Sequence, residues 1–110
     1  MKEQDALAML SAISQEMRLH IVRFLIGKGE EGAAAGEIAE AMGAASSKAS
    51  FHLAALERAN VISSERRSRK IIYRARIDKM GGLVSFMLND CCGSHPDIMK
   101  CCGVEDTTCC

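Results

Sequence analysis

The chain has 110 residues and no net charge, a length suited to one domain that buries roughly two-thirds of its unfolded surface. With 48% of its residues apolar, disorder is excluded outside the tail. The longest apolar runs fall short of a bilayer span, and the opening MKEQD lacks the charged and apolar regions of a secretion signal. A cytoplasmic protein with no membrane partner is expected.

The first predicted helix covers residues 5–13, with Leu7 and Leu10 on one side. Ser14 is placed to cap a second helix over residues 15–26, with Glu16 in its first turn, where the helix dipole favours an acid. Ile21, Val22, Leu25 and Ile26 form its buried stripe, and Gly27 ends it. His20, alone in this helix, reads as a partner for a backbone group or solvent rather than as a ligand. A glycine- and alanine-rich loop over residues 29–36 leads to a short helix over residues 37–42, with Ile38 and Met42 one turn apart. Gly43 then supplies a left-handed turn residue before the next helix, which is the order of a helix-turn-helix.

That next helix, residues 46–59, organises the rest. Ala49, Leu53 and Leu56 fall on one side, the spacing of a helix seated on a core. The other side carries Ser47, Lys48, Phe51, Ala54, Ala55 and Arg58. A solvated face would carry long charged side chains, whereas this one is mostly short, cationic at both ends and apolar at Phe51. Such a surface suits a DNA major groove, where Ser and Lys reach base edges or phosphates and an apolar ring meets a thymine methyl. Taken alone, the helix reads equally well as an ordinary surface helix with one stray aromatic.

The segment that follows decides between them. Between residues 65 and 79 lie Arg66, Arg67, Arg69, Lys70, Arg74, Arg76 and Lys79 against two acids, a local excess of five on a neutral protein. A concentrated basic strip is the electrostatic footprint of a nucleic-acid binder. Residues 61–67 and 70–77 read as strands, with Ile71, Tyr73, Ala75 and Ile77 on one face and Arg74 and Arg76 on the other. Their connection, Arg67-Ser68-Arg69, is cationic. A hairpin with arginines at its tip, directly after a reading helix, is a wing whose arginines meet phosphates or the minor groove.

Asp78 can cap a last helix over residues 79–92. Met80, Leu83, Val84, Met87 and Leu88 form its apolar strip, which Cys91 continues. A strip this apolar, in a domain already closed by other elements, is explained as half of a dimer interface, the alternative being packing within the chain. Gly81 and Gly82 each weaken the helix by roughly 1 kcal/mol relative to Ala, which is tolerable where another backbone approaches closely.

IAEAMG at 38–43, SSKASFHLAALERANVI at 46–62 and the arginine-rich hairpin resemble the ArsR/SmtB family of metal-responsive winged-helix repressors. Arg18-Leu19-His20-Ile21-Val22 is similar to that family's second-helix signature, and Ser50-Phe51-His52-Leu53 stands at its most recognisable motif. The resemblance covers about residues 5–90. It implies a mainly α fold with a small β-hairpin, dimerising through the first and last helices, whose paired reading helices bind a pseudo-palindromic operator and leave it when an inducer binds. The DNA-contacting set it implies is Ser46, Ser47, Lys48, Ser50, Phe51 and His52, with Arg66, Arg67, Arg69 and Lys70 from the wing. One departure is Ala45, where the family often has a serine cap; Ser46 or Ser47 is then expected to cap instead.

All six cysteines lie in the last twenty residues as three vicinal pairs: Cys91-Cys92, Cys101-Cys102 and Cys109-Cys110. In a reducing compartment this is not a disulfide scaffold, since adjacent cysteines bridge only with strain. Clustered thiols suit a soft ion. There is no Cys-x-Cys near Ala34, Ala35 and Glu37, where the family has its well-known arsenic site, and the last helix has no histidines for an interhelical zinc or cobalt site. What remains resembles a branch of arsenical-resistance repressors with a vicinal pair closing the last helix and a third cysteine further along. Trivalent arsenic and antimony take three thiolates in a pyramid. The eight residues between Cys92 and Cys101 span at most roughly 30 Å, so either Cys101 or Cys102 can fold back to Cys91 and Cys92. Gly93 and Pro96 turn the chain there. Cys109 and Cys110 suit initial capture or no role.

The expected organisation is a winged-helix and dimerisation domain over residues 1–92 and a cysteine-rich metal-binding tail over 93–110, with disorder admitted before the ion binds. The expected ligand is As(III), with Sb(III) as an alternative. Zinc or cadmium is the rival inducer, because His95 could complete a Cys3His site. From another class, the tail could sense thiol oxidation, or sequester metal on a domain that only dimerises. Enzyme chemistry is not expected: no Ser/His/Asp constellation or glycine-rich phosphate cradle is present.

Overall fold

In the computed structural model, which describes residues 1–103, the elements follow the helix-turn-helix-then-hairpin order with several boundaries moved. Helix α1 spans Glu3–Ile13 and buries Ala6, Met9 and Ala12. Leu7 and Leu10 are 58% and 39% exposed, so the inward side is the one carrying the alanines and Met9 rather than the side of the two leucines. The small alanines let α1 lie close on α2, α4 and α5, and the leucines are turned off that face.

Helix α2 spans Glu16–Lys28. Its cap is Gln15 rather than Ser14: the Gln15 side-chain oxygen accepts from the Arg18 N–H at 2.9 Å. The Ser14 hydroxyl instead donates to the Ser11 carbonyl, occupying an orphan acceptor at the end of α1. The helix runs through Gly27 and stops at Gly29, whose φ is 60°. Ile21, Val22 and Leu25 are buried, but Ile26 is 44% exposed.

The predicted loop contains a short 3-10 turn, Gly29–Glu31, and a strand, β1, at Ala33–Ala34. Helix α3 spans Ala35–Met42 and ends on left-handed Gly43; helix α4 spans Ser46–Arg58. Strands β2, Ile62–Arg67, and β3, Lys70–Ala75, form the hairpin with Arg67 opposite Lys70 and Ser68-Arg69 as its two-residue connection. The sheet therefore has three antiparallel strands in the order β1-β3-β2. Tyr73 and Ala75 pack on the core as expected. Ile71, 43% exposed, lies beyond the core's edge, and Ile77, 58% exposed, belongs to the next helix.

Helix α5 spans Ile77–Phe86 after Arg76, so Asp78 sits in its first turn instead of capping it. The chain continues as a π-helical turn, Met87–Cys91, in which the Cys92 N–H donates to the Met87 carbonyl five residues back at 3.0 Å. The extra residue in that turn shifts the phase, and Cys91 does not simply prolong the α5 strip. After a turn at Gly93 and Ser94, both with positive φ, a six-residue helix α6, Pro96–Cys101, enters the tail. One core joins the elements: Met9 from α1, Ile21 and Leu25 from α2, Ile38 from α3, Leu53 and Leu56 from α4, Val61 and Ile62 around β2, and Leu83 from α5. Among the described residues no helix is long and apolar enough to cross a membrane.

Candidate nucleic-acid interface

Helix α4 seats Ala49, Leu53 and Leu56 in the core, which turns Ser47, Lys48, Phe51, Ala54 and Arg58 outward. Ser46 and Ser50 are also exposed. Ala45 occupies the cap position with extended backbone and no side-chain cap, so neither Ser46 nor Ser47 caps the helix. Both hydroxyls stand at the N-terminal end, where backbone N–H groups and the helix dipole favour a phosphate. Phe51 is 63% exposed, the most exposed of the large apolar side chains among the described residues.

His52 behaves differently from its neighbours. It is 7% exposed, with Nδ1 accepting a hydrogen bond from Arg18 Nε of α2 at 3.0 Å. Direct contact with DNA was expected of this residue; instead it lies in the wall between α2 and α4. Positions 49, 52, 53 and 56 form one helical strip, so the spacing carried this signal and the polar residue type obscured it. Burial first, then the positive charges of Arg18 and Lys48, hold its imidazole below the ordinary histidine range.

The wing presents Arg66, Arg67, Ser68, Arg69 and Lys70 to solvent, with Ser68 at φ 56° in the turn. The basic residues divide by role. Arg74 is spent internally: Nη1 binds Glu65 at 2.8 Å, and Nε donates to the Glu30 carbonyl, tying the wing to the segment after α2. Arg76 donates to Asn60 at 3.1 Å. Arg67 lies 3.6 Å from the same Glu65, whose carboxyl is held below its usual range by the Arg74 hydrogen bond and then by the Arg67 charge. Arg66 and Arg69, at the tip, have no acidic partner among the described residues. The tip is therefore the cationic end of the wing, and its base is internally neutralised.

The four described cysteines sit on two segments joined by the Gly93-Ser94 turn. Cys91 ends the π-helical turn and Cys92 follows it, while Cys101 ends α6 and Cys102 follows that; all are exposed except half-buried Cys92. Among the described residues no three His, Cys, Asp or Glu side chains are gathered closely enough to hold an ion. The turn is latched by side chains: Asn89 Nδ2 donates to the Ser85 hydroxyl at 3.1 Å, and the Ser94 hydroxyl donates to Asn89 Oδ1 at 2.8 Å. His95 Nδ1 accepts from the Asp97 N–H as the cap of α6, which leaves Nε2 as the ring nitrogen a metal could take. Cys109 and Cys110 lie outside the described residues.

Comparison with known proteins agrees with this geometry. A sequence profile described as a helix-turn-helix domain matches residues 13–65. Over 89 residues, 81% of this chain and 88% of the relative, the sequence is 30% identical to the HTH-type transcriptional regulator YgaV of Escherichia coli (strain K12). The ArsR-like transcriptional regulator from Rhodococcus sp. RHA1 superposes with a TM-score of 0.73 over 96% of both chains at 18% identity. NolR from Sinorhizobium fredii gives 0.62 at 28% identity over 78% of this chain and 83% of its own. The homodimeric winged helix-turn-helix DNA-binding domain Mb0332 from Mycobacterium bovis gives 0.63 at 23% identity over 84% and 85%.

Proposed function

The chain belongs to the HTH-type transcriptional regulators and has the winged-helix fold of ArsR-like proteins, and from that premise we propose that it is an arsenite-responsive repressor. It binds operator DNA as a homodimer and leaves it when As(III), or Sb(III), is held by C-terminal thiolates. The observation that carries this reading is the confinement of all six cysteines, in three vicinal pairs, to the last twenty residues, starting where α5 and its π-helical turn end.

Dimerisation is supported by Leu7 and Leu10 on α1, Ile77 and Val84 on α5 and Met87 at the start of the π-helical turn that prolongs it, all at least 37% exposed, α1 and α5 packing together. Large side chains left outside on adjacent elements mark an interface. Two-fold pairing sets the two α4 helices into major grooves one turn apart, roughly 34 Å. Ser46, Ser47, Lys48, Ser50 and Phe51 face the groove, and Arg66, Arg67, Arg69 and Lys70 anchor the wing to the backbone.

Cys91, Cys92 and either Cys101 or Cys102 supply the thiolates. A soft trivalent ion fits this donor set because sulfur is in surplus and nitrogen is scarce. In this reading α6 swings about Gly93 and Ser94 to close the set, and the Ser85-Asn89-Ser94 latch opens with it. Movement of α6 is cheap in this reading, because against the described residues it packs sparsely and buries no side chain. The latch lies on the last turns of the dimer helix, so opening it alters the interface and the spacing of the two reading helices. Couplings of this type are typically 1–3 kcal/mol. The test is operator release, followed by fluorescence anisotropy, against arsenite, antimonite, zinc, cadmium and peroxide. Release by arsenite and antimonite at the lowest concentrations supports the reading; selective release by zinc or cadmium assigns the site to Cys3His, and release by peroxide alone makes it a redox sensor.

A further inference from the structure

Among the described residues, one polar side chain lies buried in the core wall, His52. Buried polar groups persist where a partner satisfies them, and this partner comes from another helix. Arg18, in the first turn of α2, gives its Nε–H to His52 Nδ1 at 3.0 Å. The same guanidinium reaches outward, its carbon 5.8 Å from the centroid of the Phe51 ring, within cation–π range. The Phe51 and His52 rings meet edge to face, with centroids 5.5 Å apart and planes at 69°. Three side chains from two helices thus interlock: one ring inside the wall, one ring outside it, and a guanidinium touching both.

The hydrogen bond has one possible polarity. An arginine Nε–H can only donate, so His52 Nδ1 accepts and the proton of the neutral imidazole is assigned to Nε2. A protonated imidazole would set donor against donor and cation against cation, and Lys48 adds a further positive charge on the same side. An exposed phenylalanine with no neighbours would be free to change rotamer. Here the guanidinium lies over its face and the imidazole abuts it, so the ring has a defined orientation before any ligand arrives. Groups ordered in advance cost less entropy on binding.

We propose that Arg18 and His52 are positioning residues for DNA reading, holding the exposed Phe51 ring in the orientation in which it enters the groove. This rests on α4 reading DNA, as proposed above. Neither residue need touch a base; both act through Phe51.

Operator binding by anisotropy, with random duplex as reference, is measured for wild type, His52→Leu and His52→Asn, each with and without Phe51→Ala. Leucine fills the buried site without an acceptor, whereas asparagine keeps an acceptor close to the place of Nδ1. His52→Leu is expected to lose about fivefold to tenfold in operator affinity, the low end of one base pair's readout, with random-duplex binding unchanged. His52→Asn recovers most of that loss, and in the Phe51→Ala background the two variants bind alike. Equal losses with and without Phe51, or no loss in His52→Leu, overturn the proposal. The second measurement needs no DNA: in protein labelled with 4-fluorophenylalanine, the Phe51 fluorine resonance is expected to move in both variants, which lose the imidazole ring beside it, and to move further in His52→Leu, which also loses the acceptor for Arg18. Equal shifts in the two variants, or an unmoved resonance in both, overturn the positioning role. If wild type does not prefer operator over random duplex, the reading of α4 fails, and the fluorine spectrum still decides whether the pair holds the ring.

Discussion

Gly32→Ala is the substitution whose cost can be worked most directly from geometry. Gly32 has φ 67° and ψ −162°, a region essentially reserved for glycine, in which another residue costs about 1–3 kcal/mol. A Cβ there would clash with the Tyr73 carbonyl oxygen and stand 2.8 Å from Arg74 Cγ and 2.9 Å from Ile72 Cγ2. The first of these is backbone in the central strand and cannot turn aside, so β1 must move off β3, adding about 1–3 kcal/mol of overpacking. The total is about 2–6 kcal/mol, a large share of the 5–15 kcal/mol typical of a domain. At roughly 4–8 °C per kcal/mol, Tm falls by at least about 8 °C. The assay is a thermal melt by circular dichroism at fixed protein concentration. Gly36→Ala serves as reference, because its Cβ would meet nothing within 4 Å inside α3. A Gly32→Ala melt within about 2 °C of wild type would refute the claim that β1 is clamped against the wing.

Three further outcomes follow from particular contacts. Because His52 is held below its ordinary value by burial and by Arg18 and Lys48, the unfolded chain takes up that proton first; stability is complete above about pH 6.5 and falls as pH drops through the unfolded value towards the folded one. Urea midpoints at about pH 7.5 and 5.5, bracketing that value, should therefore differ more in wild type than in His52→Asn, and equal differences would contradict the assignment. At the wing tip, Arg69→Ala should lower the slope of log affinity against log salt by about 0.9, whereas Arg67→Ala, half-satisfied by Glu65 at 3.6 Å, should lower it less; the reverse order would be wrong for this geometry. A Cβ on Gly81 meets nothing within 4 Å in the protomer, so in the proposed dimer, with a partner backbone approaching at this glycine, Gly81→Ala should raise the dissociation constant by roughly tenfold through overpacking. Sedimentation equilibrium showing an unchanged dimer would mean that no second backbone approaches there.

The parts of the fold legible in the sequence are those where large apolar residues and helical spacing agree. Leu53 and Leu56 with Ala49 placed α4 correctly, and Ile21, Val22 and Leu25 did the same for α2. In α1 the two signals conflicted: the leucines suggested one face, but alanines and Met9 occupy the core because close helix approach favours small side chains. Strand β1 was hidden because Ala33-Ala34 has none of the β-branched or aromatic residues that mark strands, and its pairing depends on Gly32 and distant Tyr73. Gln15 replaced Ser14 as cap through a local choice that residue preferences do not resolve. The π-helical turn before Cys92 arises from backbone bonding alone and has no residue signature. At the candidate site, exposed Phe51 and the wing arginines were visible from spacing and charge, whereas the link from Arg18 to His52 crosses 34 positions and required the fold.

The central claim is that the cysteine tail and the DNA-binding surface are coupled. Its most direct test is an arsenite titration of the preformed operator complex with wild type and with the Cys91→Ser/Cys92→Ser variant at equal DNA occupancy. The account predicts that arsenite dissociates the wild-type complex while the variant stays bound. A variant that releases DNA at the same arsenite concentration as wild type would contradict it.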